Sequence, residues 1–293
     1  MSTHAAPPPQ GAPNSTARTV HRDPAMLSSN VSLTSQRFGV LGLLAAMASC
    51  YTPTIDVMPR VLAVELDGSF SANDGSLPLG SNDFGTLRIE DEPAAFTPRV
   101  DWTSGRWDWT ADWIGQDFDG IGDLEAGLVI DGVVFPQGNT VATDTELGLG
   151  RLAATYDLVA HPDTIVGLGA GVGFVRAEAV IRDLDSGAIS ETDQDGIAPH
   201  FVGRLGHVFG ELEFQLLVGW LDFQLNDIDT EYFDADAFLR WRFRSRDEGI
   251  TWALVAGYRH LLVDSSYNEE DFDEDIDWKS ELRGPYLGFS VGF

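Results

Sequence analysis

Arginine and carboxylate residues occupy alternate positions in several segments of the chain, a spacing that could build ion pairs. Residues two apart on a β-strand face the same side, so Arg99 lies beside Asp101 and Asp234 beside Asp236. The planar fork of an arginine grips a carboxylate in bidentate fashion. We predict an inward-facing network made of Arg99, Asp101, Arg204, Glu213, Asp234, Asp236, Arg240 and Arg259. Within it, we expect Arg204, Arg240 and Arg259 to pair across the interior with Asp101, Glu213 and Asp236.

The segment Asp117-Phe-Asp-Gly-Ile-Gly-Asp123 has the composition of a small cation site. Closely spaced carboxylates, with glycines that allow a sharp turn, suit a hard cation such as Ca²⁺. The candidate ligands are Asp117, Asp119 and Asp123. The segment departs from an EF-hand loop, because Gly115 and Ala126 fill the first and last ligand positions of that motif. An acidic loop in water is the alternative.

Two glycine patterns resemble enzyme motifs without their structural context. Gly288-Phe-Ser-Val-Gly292 matches a nucleophile elbow, but that motif needs a helix after the serine and only Phe293 follows. The glycines of 167–173 do not form a dinucleotide-binding fingerprint, and no helix is predicted after them. We therefore predict no catalytic residue, no cofactor and no enzymatic activity. A less favoured alternative is a hydrolase that uses His260, Asp234 and Asp236 near one rim.

The elements that carry these residues are predicted strands with alternating apolar and polar residues. From residue 59 the alternation predicts an all-β domain. In the first segment it assigns Leu62, Val64, Leu66 and Phe70 to the lipid face. Segments 106–117 and 128–135 are counted as one interrupted strand, because a barrel with both ends in the periplasm needs an even number. The prediction is about ten strands, with 12 as the alternative.

Loop lengths and aromatic residues orient the predicted strands. Short turns at 161–163, 209–211 and 245–249 are assigned to the periplasm. Long acidic loops at 183–195, 226–231 and 264–280 are assigned to the outside. Two aromatic girdles are expected where rings favour the membrane interface. The girdle residues are Trp102, Trp107, Trp241, Phe243, Trp252 and Phe293 on the periplasmic side and Phe174, Trp220 and Tyr258 on the outer side.

The last segment shows the clearest alternation and carries a family resemblance. Leu287, Phe289, Val291 and Phe293 alternate with small residues, so one face is fully apolar. A terminal Phe on such a strand resembles the closing strand of Gram-negative outer-membrane β-barrels. The resemblance implies a single antiparallel transmembrane barrel in the cell outer membrane, with Phe293 as the assembly signal. It also implies membrane lipid, lipopolysaccharide and the barrel-assembly machinery as partners.

The N-terminal segments are predicted to be processed. Residues 1–25 are polar and Pro-rich and represent a disordered extension or a mis-set start. Residues 26–49 contain Arg37 and an apolar run, which is typical of a secretory signal peptide. Met47-Ala-Ser-Cys50 resembles a lipobox, so Cys50 is the candidate lipidation site, with ordinary cleavage near Ala48 or Ser49 as the alternative. Residues 50–58 are predicted to form a periplasmic tether before a barrel at 59–293.

Composition limits the remaining function classes. The 293-residue chain has a formal net charge of -28, which excludes a nucleic-acid partner because phosphate backbones attract basic surfaces. Acidic loops could bind divalent cations. We predict a barrel with a mostly filled, charged lumen and a structural or surface-interaction role. The alternative is a narrow, porin-like channel for small solutes.

Overall fold

The computed structural model describes residues 53–73, 80–89, 94–130, 132–225, 228–244, 249–269 and 274–293. The predicted extension, signal peptide and lipidation site at Cys50 lie outside these residues. No helix in the described ranges has the length and apolar composition needed to cross a membrane.

The described residues form antiparallel β-strands. The strands are β1 (Thr54–Met58), β2 (Arg60–Leu62), β3 (Glu65–Asn73), β4 (Asn82–Asp83), β5 (Ala95–Phe96), β6 (Arg99–Ser104), β7 (Trp107–Asp123), β8 (Leu128–Ile130), β9 (Val133–Phe135), β10 (Thr140–His161), β11 (Thr164–Asp183), β12 (Ile189–Phe209), β13 (Leu212–Leu225), β14 (Ile228–Arg244), β15 (Thr251–Glu269) and β16 (Glu274–Gly292).

The sheet closes into a barrel because β16 pairs with β15 on one side and with β1, β2 and β3 on the other. β1 to β3 are consecutive pieces of the first wall strand, and β5 and β6 form the second. With β7 and β10 to β16, the wall has ten strands. The predicted all-β fold and the count of ten are therefore confirmed.

The breaks in the first wall strand are accommodated by glycines in β16. The chain leaves regular pairing at Pro59 and again at Ala63 and Val64, between the pieces β1, β2 and β3. A Cβ atom at Gly284 would collide with the Ala63 carbonyl oxygen, and one at Gly288 would collide with the Pro59 carbonyl oxygen. Only glycine lets the backbones approach this closely.

Two sequence-based assignments of segments are corrected by the strand pairing. Leu128–Ile130 and Val133–Phe135 form a separate two-stranded hairpin, not the second half of an interrupted wall strand. The strand count is unaffected, because β7 alone forms the third wall strand and the hairpin returns the chain to the same end of the barrel. Thr54–Met58 was assigned to a tether, but it pairs with β6 over five positions and also with β16.

The strands extend further outward than predicted. Much of 183–195 and 264–280, assigned to loops, belongs to β11, β12, β15 and β16, and strand β14 begins at Ile228. Apolar alternation marks only the part of a strand that contacts lipid. Beyond that part, backbone hydrogen bonds continue the sheet, and residues such as Ile181 and Trp278 lie on its inner face.

The outer wall carries a belt of exposed apolar side chains with aromatic residues at its edges. Trp241 and Phe243 are exposed near the end with the short turns, and Trp220 and Tyr258 lie further along their strands. The wall thus presents apolar side chains to its surroundings although it belongs to a protein with many charges. This is the pattern expected of a barrel in lipid.

The inside of the barrel also contains an apolar core. The residues of the first wall strand that were predicted to face lipid belong to this core. Leu62 and Val64, assigned to lipid, are buried inside, while Val61 is 51% exposed outside. They pack in a cluster that includes Ile114, Phe118 and others from most of the wall. Alternation identified the apolar face of this strand, but it could not distinguish lipid contact from internal packing.

Candidate functional site

A cluster of buried charges crosses the middle of the lumen. It consists of three aspartates and four arginines whose side chains are at most 3% exposed: Asp112, Asp234, Asp236, Arg60, Arg99, Arg151 and Arg259. The wall strands place them there by alternation, because residues two apart on β14 share the inner face.

Asp236 joins distant parts of the wall. Its Oδ2 accepts hydrogen bonds from Arg60 Nη1 at 3.0 Å, Arg99 Nη1 at 2.9 Å and Arg151 Nη2 at 3.3 Å. Its Oδ1 accepts a hydrogen bond from the Tyr286 hydroxyl at 2.6 Å. Both carboxylate oxygens are therefore fully used, which a buried charge requires.

Asp112 and Asp234 are held by Arg259 and by Arg151, which also contacts Asp236. Arg259 Nη1 donates to Asp112 Oδ1 at 2.8 Å, and Arg259 Nε and Nη2 donate to the two oxygens of Asp234 at 3.1 and 2.8 Å. Arg151 Nη1 donates to Asp234 Oδ2 at 2.9 Å and its Nη2 to Asp112 Oδ2 at 2.5 Å. The Tyr232 hydroxyl donates to Asp234 Oδ2 at 3.3 Å.

These contacts span the lumen instead of linking neighbouring strands only. Passing round the wall from β14 through β15, β16 and β1–β3, the fourth strand reached is β6, which carries Arg99. In the other direction, the fourth strand from β14 is β10, which carries Arg151. In a ring of ten strands, each such pair lies nearly opposite. The cluster therefore places side chains across the centre of the lumen.

Aromatic rings pack against the arginines and complete the cross-section. The guanidinium carbon of Arg60 lies 4.7 Å from the centre of the Tyr286 ring, and that of Arg99 lies 4.9 Å from the Phe238 ring. Such contacts stabilise cations through the negative face of the ring. They also fill space that a narrow barrel would otherwise leave to water.

A cavity of about 520 Å³ lies at the end of the barrel with the short turns. One of the arginines that line it, Arg240, has longer ion-pair contacts than the arginines of the centre. Arg240 lies 3.4 Å from Asp56 and 3.7 Å from both Asp101 and Glu213. Arg204 pairs with Asp108. This cavity borders the central cluster at Asp101, which pairs with Arg99.

The structure places every residue of the predicted network inside the barrel, in two groups. Arg99, Asp101, Asp234, Asp236 and Arg259 belong to the centre or border it. The second group, at the cavity, is Arg204, Glu213 and Arg240.

The pairings differ in part from the predicted ones. Arg240 approaches Asp101 and Glu213. Arg259 pairs with Asp112 and Asp234 instead of Asp236.

Sequence reasoning missed Arg60 and Arg151 as members of the central cluster. Arg151 stands directly opposite Asp112 in the antiparallel pair of β10 and β7. It also shares its inward parity with Leu147 and Leu149, so alternation along β10 could have identified it. Arg60 follows a break in pairing at Pro59, and a break removes the parity signal.

The candidate cation site does not form as predicted. Asp117, Asp119 and Asp123 lie on the continuous strand β7 and point outward at alternate positions. The sharp turn that would gather their carboxylates around one ion is absent from this strand. Within the described part of the chain, no group of three or more histidine, cysteine or acidic residues is arranged to hold a metal ion.

The histidine and aspartates of the hydrolase alternative are not brought together. His260 lies 3.1 Å from Glu281 and contacts the Phe233 ring edge-on. It stands opposite Ala235 in the pair of β14 and β15, so it faces the outside while Asp234 and Asp236 face the lumen. His260 and the two aspartates therefore lie on opposite faces of the barrel wall.

Phe293 lies at the seam where the barrel closes. Its backbone N–H donates to the Ile55 carbonyl oxygen at 2.9 Å, and its side chain is 59% exposed. The residue is thus positioned to contact lipid or another protein with its ring.

A closed antiparallel barrel with an apolar outer belt and a charged interior is the architecture of an outer-membrane β-barrel protein. The outer membrane protease OmpT from Escherichia coli has a similar fold, with a TM-score of 0.54 and 10% identity over 83% of this chain and 98% of that one. Two more distant barrels are the Pseudomonas putida toluene transporter TodX (TM-score 0.31, 11% identity, 85% and 92% coverage) and the transport unit of the Escherichia coli autotransporter AIDA-I (0.32, 8%, 87% and 96%). No protein-family model and no curated protein sequence matches the chain.

Proposed function

We propose that the protein is a closed outer-membrane barrel with a structural or surface-interaction role and no steady solute flow. The central cluster carries this proposal, because its ion pairs connect strands on nearly opposite sides of the wall. Opening a path would separate buried arginines from their aspartates, and each uncompensated buried charge is costly. The apolar core on the inner face adds a second obstacle to water and ions.

The alternative function is a narrow channel for small solutes. The cavity of about 520 Å³ favours it, since solutes could enter the lumen from that end. It stops at the central cluster, and we therefore rank the channel second. Among the described residues at the rim, no arrangement supports a hydrolase, and we propose no enzymatic activity.

Recordings from planar lipid bilayers test the proposal. Purified wild-type protein, shown to be folded by its heat-dependent gel mobility, should insert without steady conductance. Large, stable single-channel currents would contradict the closed-barrel proposal and establish the channel. Brief, irregular openings that disappear on longer recording would support the closed state.

The surface-interaction role rests on the acidic outer parts of the strands. Asp117, Glu146, Glu178 and Asp193 lie in register on β7, β10, β11 and β12. Carboxylates directly opposite each other repel, and Arg176 forms an ion pair with Glu178. We propose that lipopolysaccharide phosphates approach this face through shared divalent cations.

Lipopolysaccharide retention tests this second part. Wild-type protein should lose bound lipopolysaccharide on addition of EDTA. A Glu146→Gln variant should retain less of it, and an Asp264→Ala variant should behave as the wild type. Retention that is unaffected by both EDTA and Glu146→Gln would exclude cation bridging at this face.

A further inference from the structure

A second cavity lies in the outer half of the lumen, away from the charged cluster. Its volume is about 80 Å³, and the segment 80–89 forms one side of it through Phe84, Leu87 and Ile89. Wall residues that include Phe118 and Leu147 form the rest. Among the described residues that line it, none is charged. An apolar space of this kind does not hold water well, because water needs polar partners.

The segment 80–89 is braced and does not collapse into this cavity. The Phe84 N–H donates to the Gly68 carbonyl oxygen at 3.0 Å, and the Gly85 N–H donates to Asp83 Oδ1 at 2.8 Å. The backbone at Leu87 also presses on Gly122 so closely that a Cβ atom there would collide with it. The cavity is therefore built into the fold.

One polar group of the cavity wall has no partner. Trp278 lines the cavity, and its indole N–H is buried with no hydrogen-bond acceptor among the described residues. Indole is a donor only, and an unpaired buried donor is unfavourable. An acceptor oxygen on a bound molecule would remove this cost. Binding pockets commonly combine an apolar wall with a few polar groups of this kind.

We propose that this cavity binds a small neutral molecule with a short aliphatic body and one acceptor oxygen, such as an alcohol or ester. Size limits the body, because about 80 Å³ is roughly half of the ~150 Å³ cavity that holds benzene. Charge disfavours a carboxylate ligand, since no described residue that lines the cavity is cationic and the protein has a formal net charge of -28. An ammonium group would leave the Trp278 N–H without an acceptor.

The test is a titration of ¹⁵N-tryptophan-labelled protein in lipid nanodiscs with 1-butanol, butyrate and butylammonium. In the wild type, 1-butanol should shift the Trp278 indole resonance and reach saturation, whereas the two charged analogues should not. A shift that rises linearly with alcohol concentration, or one that butyrate produces equally, would overturn the proposal. These arms need no variant, so they remain decisive if a variant fails to fold.

Variants add a direct test of position. Ala179→Phe places a ring in the cavity and should abolish the saturable shift, while Ala170→Phe on the lipid-facing wall should leave it unchanged. Trp278→Phe, followed through the methyl resonance of the alcohol, should weaken binding about tenfold, the scale of one lost hydrogen bond. Equal binding in all three variants would place the alcohol in the bilayer. The outcome does not depend on whether the lumen conducts.

Discussion

Removal of Asp236 should destabilise the barrel far more than removal of any exposed carboxylate. Asp236 is the carboxylate paired with Arg60, and the two side chains are 0% and 1% exposed. In Asp236→Ala, Arg99 keeps Asp101 and Arg151 keeps Asp112, but Arg60 loses its ion pair. Loss of one partner of a buried pair costs about 3–5 kcal/mol. We expect the free energy of unfolding to fall by that amount.

The matched control is Asp264→Ala, which removes an exposed pair. Lys279 Nζ lies 3.4 Å from Asp264 Oδ2, with side chains 52% and 42% exposed. Exposed pairs contribute about 0.2–1 kcal/mol, so this variant should unfold almost as the wild type does. Urea titrations of protein folded into lipid vesicles, followed by tryptophan fluorescence and gel mobility, measure both variants.

A double variant identifies the cause of the loss. Adding Arg60→Met to Asp236→Ala removes the uncompensated cation, and apolar replacement of a whole buried pair is often neutral or stabilising. The double variant should therefore be more stable than Asp236→Ala alone. The reasoning is refuted if Asp236→Ala and Asp264→Ala are equally mild, or if Arg60→Met adds its own cost in full.

Three further predictions concern assembly, processing and pH. Phe293→Asp should lower the amount of barrel in the membrane, whereas Phe293→Tyr should not; normal levels of Phe293→Asp would contradict the assembly-signal role. Cys50→Ala should abolish labelling by radioactive fatty acid while the barrel still folds, and persistent labelling would exclude this site. Hydrogen bonds from the Ser186 backbone N–H and the Asn139 side chain lower the pKa of Asp183 to about 2. Because this folded-state pKa is lowered, the stabilisation is present above the unfolded value of about 3.9 and is lost as pH falls through about 2. The Ser186 amide resonance should titrate with that midpoint, and a midpoint near 3.9 would show that these bonds are absent.

Much of the wall could be predicted because lipid imposes a simple rule. Each strand in the belt must present apolar residues outward, so the alternation of Leu287, Phe289 and Phe293 with small residues clearly predicted a strand. The count of ten followed from parity, even though segment 128–135 was assigned to the wrong element. The error did not change the count, because neither a separate hairpin nor an interruption within one strand adds a strand to the wall.

The lumen was harder to predict, because its inner face has two kinds of surface. Charged residues such as Asp234 and Asp236 were placed inside correctly, since lipid excludes them. Leu62 and Val64 were placed outside, since alternation gives the same signal for internal packing as for lipid contact. The specific partners depend on strand tilt and on contacts across the barrel, which no local pattern records.

The position of the charges relative to the two cavities supports the proposal of a closed barrel. The cavity of about 520 Å³ is lined by Arg240, whose carboxylate partners lie at 3.4 to 3.7 Å. In the centre, Arg259 reaches Asp112 and Asp234 at 2.8 Å. A solute that entered from the end with the short turns would reach the charges around Arg240 first, at little cost. It would then have to break the short, buried ion pairs of the central cluster. The apolar side chains of the core beyond them offer no polar partners to replace those contacts. We therefore expect the free-energy barrier to solute passage to lie at the central cluster, which contains Asp236.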